Sequence, residues 1–109
     1  MQISINESDW KLFRQKLPDW QEAYIDKLNR EYASLLTGTG TASDKFWELE
    51  KRISSDKHRM GLDARMSRSN MYPNLLGLLQ DGVITPDDLV DFSIDLQERM
   101  TFLMQNWQN

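Results

Sequence analysis

The stretch LLQDGVITPDDL, residues 78–89, decides whether this chain is a calcium protein, a carboxylate enzyme or a set of packed helices. A calcium-binding EF-hand loop takes side-chain oxygens at its positions 1, 3 and 5, glycine at 6 and a bidentate glutamate at 12. With Gly82 at position 6, Asp81, Ile84 and Asp88 fall on acceptable positions. Gly77 and Leu79 then fall on positions 1 and 3, so two ligands are missing, and the glutamate is shortened to Asp88. A bend between two helices uses more of the residues. Gly82 suits a helix end, Thr85 a helix cap, and Pro86 the first helical position, which has no N–H to satisfy. Asp87 and Asp88 suit the positive end of a helix dipole, and Asp88 can return a bond to the cap. Ile84 and Leu89 stand where a hydrophobic staple belongs.

Working outward, the apolar spacing is helical nearly everywhere. After the bend, Leu89, Phe92, Leu96, Met100, Leu103 and Trp107 predict one helix from Pro86 to about Gln105. Before it, Met71, Leu75, Leu78 and Leu79 predict a helix from near Ser69, with Pro73 tolerated in its opening turn. Segment 62–69 is irregular. Ser43 is a cap for a helix carrying the stripe Phe46, Leu49, Ile53 and Met60, with Gly61 as its stop. Asn6 caps a first helix bearing Trp10, Phe13 and Leu17. Pro18 predicts a break or kink, then a second helix to about Leu36 whose face is Trp20, Tyr24, Leu28, Tyr32 and Leu35. QISI (2–5) is too short to assign. The expectation is an all-α single domain over 1–109, an irregular bundle of four to five helices ending in an antiparallel helical hairpin. Its core would hold Phe13, Trp20, Tyr24, Leu28, Phe46, Leu49, Ile53, Leu75, Leu79, Leu89, Phe92, Leu96 and Leu103.

Composition bounds the chemistry. The 109 residues include no cysteine and one histidine, which removes disulfides and the usual zinc sets. No stretch approaches the ~18 apolar residues of a membrane span. With no signal-peptide pattern at the start, the expected location is the cytoplasm. His58, between Lys57 and Arg59, has no partner for nucleophilic catalysis and reads as an exposed helix-end residue. No phosphate-binding glycine loop is present. No catalytic, cofactor or metal residues are assigned, and no enzyme activity is expected.

Charge is unevenly spread. The net −4 comprises six basic and two acidic residues over 51–80, against one basic and six acidic over 81–109. Lys51, Arg52, Lys57, Arg59, Arg65 and Arg68 form a basic island that could bind nucleic-acid phosphates, an acidic protein, or the chain's own acidic last helix. Asp87, Asp91 and Asp95 follow at i, i+4 and i+8, a solvated acidic face or a dock for a basic partner. Met60, Met66 and Met71, with Leu62, surround the irregular joint; adaptable methionines either fill a core or line a partner surface. Trp107 is open to the same two readings.

With DKFWELEKRISSDK (44–57) and NLLGLLQDGVITPDDLVDFS (74–93) in view, the chain resembles a family of short bacterial proteins of unknown function. The resemblance runs from WKLFRQKLPDWQEAYIDKLN (10–29) to the last helix. Members occur in gut-type Gram-positive genomes, often near mobile-element genes, and some carry a transporter label, which a chain without a span cannot earn alone. The resemblance supplies no site residues. LLQDGVITPDDL is also similar to the helix–turn–helix of short bacterial oligomerisation domains, which admits a homodimer. The expected function is non-enzymatic protein interaction, for instance as a mobile-element or phage-encoded inhibitor. The alternative is a nucleic-acid-binding regulator using segment 51–68.

Overall fold

The computed structural model describes residues 5–107, with the side chains of Met60 and Trp107 outside the description. QISI therefore falls largely outside it, as do the readings of those two side chains. The chain is all-α. Helices α1 (Glu7–Thr37), α2 (Ala42–Asp56), α3 (Met60–Asp63), α4 (Met71–Gln80) and α5 (Ile94–Trp107) follow in order, with a 3-10 turn over Pro86–Leu89 before α5.

The expected break at Pro18 is corrected. One helix of 31 residues runs through it. Phe13, Leu17, Tyr24 and Leu28 are all buried along a single stripe of that helix, while Pro18 itself faces solvent. Burial on both sides of the proline thus outweighs the one backbone bond it cannot make. Asn6 caps the start as expected, its Oδ1 accepting the Ser8 N–H at 2.8 Å. At about 1.5 Å per residue, α1 is about 46 Å long. It sets the long dimension of a body measuring 53 × 32 × 22 Å. The radius of gyration, 16.7 Å, exceeds the roughly 13 Å expected of a compact domain this size.

The core gathers at the N-terminal half of α1. Phe13 and Leu17 meet Met71, Leu75 and Leu78 of α4, and Leu89, Phe92, Leu96 and Met100 from the C-terminal segment. Trp10, Phe13, Trp20 and Phe92 form a chain of ring contacts, with centroids 6.0, 6.5 and 6.3 Å apart. Trp20 and Leu103, expected inside, only pack against this core from its margin.

The bend at 78–89 closes α4 as its residues suggest. Gly82 has φ +72°, Val83 N–H reaches Leu78 O at 2.9 Å and Gly82 N–H reaches Leu79 O at 3.2 Å. That is the paired closure of a left-handed helix end. Asp88 accepts the Thr85 N–H at 2.8 Å, and Ile84 and Leu89 are both buried. The continuous helix expected from Pro86 is corrected, however. The chain makes a four-residue 3-10 turn, and α5 starts only at Ile94. The cause lies in α1. Asp9, 2% exposed, takes the Ser93 N–H at 2.8 Å and the Ser93 hydroxyl at 2.6 Å. Ser93 Oγ in turn accepts the Leu96 N–H at 3.2 Å, capping α5.

The joint is corrected as well. Thr41, not Ser43, caps α2, its hydroxyl accepting the Asp44 N–H at 3.2 Å. Gly61 does not stop that helix, which ends at Asp56; it lies inside α3, its Cα against the Tyr24 ring. The irregular stretch that follows is pinned through its carbonyls. Gln21 Nε2 donates to Ala64 O and buried Asn74 Nδ2 to Arg65 O, each at 2.9 Å.

Candidate interaction surface

Helix α2 decides what the protein presents to its surroundings. Its apolar stripe was expected in the core. Instead Phe46 is 61% exposed, Trp47 64% and Ile53 39%, with Leu49 half-buried. The face turned towards α1 is the row Lys45, Leu49, Arg52 and Asp56, spaced at i, i+4, i+7 and i+11. Three of these four are charged.

Polar contacts make that attachment. Arg52 Nη2 meets Glu31 Oε1 at 2.8 Å, and its guanidinium lies over the Tyr32 ring, 5.6 Å from the centroid. Tyr32 donates its hydroxyl to buried Asp56 at 2.5 Å, and Arg59 Nε reaches the same carboxylate at 3.4 Å. Burial, reinforced by the bond to Asp56, pushes the Tyr32 phenol up to about 12. Burial also raises Tyr24, and it outweighs the opposing pull of Arg59. Tyr24, Lys27, Glu31, Arg52, Asp56 and Arg59 line a cleft of about 350 Å³ between α1, α2 and the end of α4. Its walls carry both signs of charge.

With α2 held by its charged row, its aromatic side is left exposed among the described residues. Phe46 and Trp47 pack edge to face, centroids 4.9 Å apart and planes at 89°, forming a protruding aromatic knob. Leu36, at the end of α1, is 45% exposed. A second apolar feature lies at the C-terminal segment. Leu79, Leu89, Met100 and Met104 line a groove of about 190 Å³, edged by Gln97 and Thr101. Exposed Val90, Ile94 and Phe102 also belong to this segment.

The residues singled out in the sequence are scattered by the fold. Of the basic island, Arg52 pairs with Glu31, Arg59 with Asp56, and Arg68 with Glu7. These are acids of α1 and α2, not of the last helix. Lys51, Lys57 and Arg65 are exposed and make no ion pair among the described residues. Met71 is fully buried in the core whereas Met66 is 47% exposed, so the joint does not present these two methionines together. Asp87, Asp91 and Asp95 do not share a helix face, because they fall in the 3-10 turn, in the link and in α5. Asp91 meets Lys16 at 3.8 Å. Among the described residues no three acidic or histidine side chains converge as metal ligands. No helix there is long and apolar enough to cross a membrane. His58 is exposed in the turn after α2.

Two features escaped the sequence. Asp9 sits at i−4 and i−8 from Phe13 and Leu17, an acid on an apolar stripe, which was a legible sign of a buried polar tie. The exposure of Phe46 and Trp47 had a fainter sign: charged residues recur at the spacing of a packed helix face. No protein-family model, no curated protein and no solved structure matches this chain.

Proposed function

We propose that the protein is a non-enzymatic interaction module that docks on another protein through the aromatic side of α2. The exposed Phe46–Trp47 pair, on a helix anchored by its opposite, charged row, carries this reading. Buried aromatic anchors dominate protein interfaces, and a desolvated tryptophan is their commonest hot spot. Phe46, Trp47 and Ile53, large apolar side chains left exposed on one helix of a small domain, mark a surface that a partner covers. In this reading the C-terminal elements form an antiparallel hairpin that acts as a rigid base, and α2 is the presented element. The setting is the bacterial cytoplasm, and the mode is that of a mobile-element or phage-encoded inhibitor that occupies a regulatory or defence protein.

The test is affinity capture from a bacterial lysate with and without nuclease, comparing the wild-type chain with Trp47→Glu. A protein retained by the wild type and lost with Trp47→Glu is the expected result. Equal retention by both removes the aromatic face from the account. Recovery of nucleic acid alone, abolished by nuclease and by charge reversal at Lys51, Lys57 and Arg65, would transfer the function to the basic segment 51–68.

A further inference from the structure

We infer that α2 is a hinged arm: its N-terminal half, which carries Phe46 and Trp47, lifts off α1 while its C-terminal end and the core stay in place. Bonding and burial along α2 carry this, whatever the aromatic pair meets, so it goes beyond the docking reading and does not depend on it.

The C-terminal end of α2 is pinned. Asp56, the one buried residue of that helix, takes the Tyr32 hydroxyl from α1 and the Arg59 guanidinium from the turn beyond. That turn is bonded throughout. Lys57 N–H donates to Ile53 O, Arg59 N–H to Asp56 O, and the N–H groups of Leu62 and Asp63 to Arg59 O. It leads straight into α3, where Gly61 lies against the Tyr24 ring. One turn before Asp56, Arg52 meets Glu31 and covers Tyr32.

The other end is loose. From Ala42 to Arg52 the helix runs about 15 Å. Before Arg52, no side chain of α2 hydrogen-bonds or ion-pairs with α1 among the described residues. Only Lys45 and Leu49 are half-buried there. The facing part of α1 offers little in return, since its buried stripe ends at Leu28 and nothing in 29–37 is buried. The tether, 38–41, is exposed throughout. Gly40 within it has φ +125°, and a Cβ there would meet nothing nearer than the Lys45 side chain at 4.0 Å.

A segment with so few buried apolar contacts opens ahead of the core. A helix of 15 residues that leaves its support is marginal in water, so lifting exposes its amides to exchange. The latch between the pinned and the loose parts is Arg52–Glu31, with side chains 35% and 42% exposed. Salt screens such a pair, because the Debye length falls from about 10 Å at 0.1 M to about 3 Å at 1 M. The Phe13–Leu28 stripe is apolar and has no such sensitivity. Sodium chloride therefore loosens the arm and leaves the core.

The test is native-state hydrogen exchange of the full chain, read amide by amide by NMR at about 0.1 M and about 1 M sodium chloride. Amides 46–50 should exchange at least about 100-fold faster than those of Phe13, Leu17 and Leu28, and faster than amides 53–57. A helix that merely frays would be fast at both ends. High salt should speed amides 46–50 by about 1.5- to 5-fold, the range of one exposed ion pair. Glu31→Gln should do the same at low salt and abolish the salt response, with core amides unmoved by either change. Protection of amides 46–50 equal to that of the core overturns the inference. So does equal exchange at the two ends of α2, or a wild type whose amides 46–50 ignore salt, or a salt response that survives Glu31→Gln.

Discussion

Replacing Asp9 with alanine should be the most damaging polar substitution in this protein. The carboxylate is 2% exposed and accepts two hydrogen bonds from one residue 84 positions away, the Ser93 N–H at 2.8 Å and its hydroxyl at 2.6 Å. A hydrogen bond to a charged group is worth about 1.5–3 kcal/mol, and truncation leaves the Ser93 donors without an acceptor. The expected loss is about 3–5 kcal/mol, a large fraction of the roughly 5–15 kcal/mol that holds a domain folded. The Ser93 hydroxyl also caps α5 at Leu96, so Ser93→Ala alone should cost about 1–3 kcal/mol. Urea unfolding of wild type, both single variants and the double variant forms a cycle. Because each single change removes the shared hydroxyl–carboxylate bond, the double variant should lose less than the sum by about 1.5–3 kcal/mol. An Asp9→Ala loss under 0.5 kcal/mol, or additive effects of the two changes, would refute the claim that this tie divides the C-terminal segment into a 3-10 turn and α5.

Three further outcomes follow from the same contacts. Phe46→Ala should change stability by no more than about 0.5 kcal/mol, whereas Phe13→Ala, at 0% exposure, should cost about 3–5 kcal/mol by thermal or urea unfolding; equal losses would put α2 back in the core. Gly61→Ala should destabilise by about 1–3 kcal/mol, because its Cβ would lie inside the Tyr24 ring, and Tyr24→Leu in the same chain should recover part of that loss. Since Tyr32 is pushed from 10 up to about 12 in the folded chain, its neutral form is the one the fold favours. The stability this gives is complete below pH 10 and lost as pH rises towards 12. Tyr32→Phe should flatten that decline without removing it, as Tyr24 and Tyr72 are also raised, each mainly by burial. An unchanged slope in unfolding measured across pH 9–12 would show that Tyr32 does not hold α2.

Much of the fold follows from local rules read along the chain. The helical period, the Asn6 cap, Gly82 with Pro86 beyond it, and Pro73 in an opening turn each act over a few residues, and each was readable there. Periodicity even chose the right buried faces at Leu89, Phe92, Leu96 and Met100, although the helix there is in two pieces. A stripe at steps of three and four is satisfied equally by one helix or by a turn and a helix facing the same core. The same ambiguity explains Pro18. A proline announces a lost bond, but whether the helix ends depends on what the residues beyond it bury.

The sequence by itself determined that this protein is helical, where α1 starts and where α4 closes, and that disulfides and cysteine-ligated zinc are excluded. Only the tertiary structure decided which face of α2 is covered. Arg52 and Asp56 found Glu31 and Tyr32 on α1, and a helix can turn only one side to its neighbour. Once satisfied polar pairs took that side, Phe46 and Trp47 were left outward. Pairings between residues about 20 to 80 positions apart have no signature in local spacing. They set both the α5 boundary at Ser93 and the aromatic surface on which the proposed function rests.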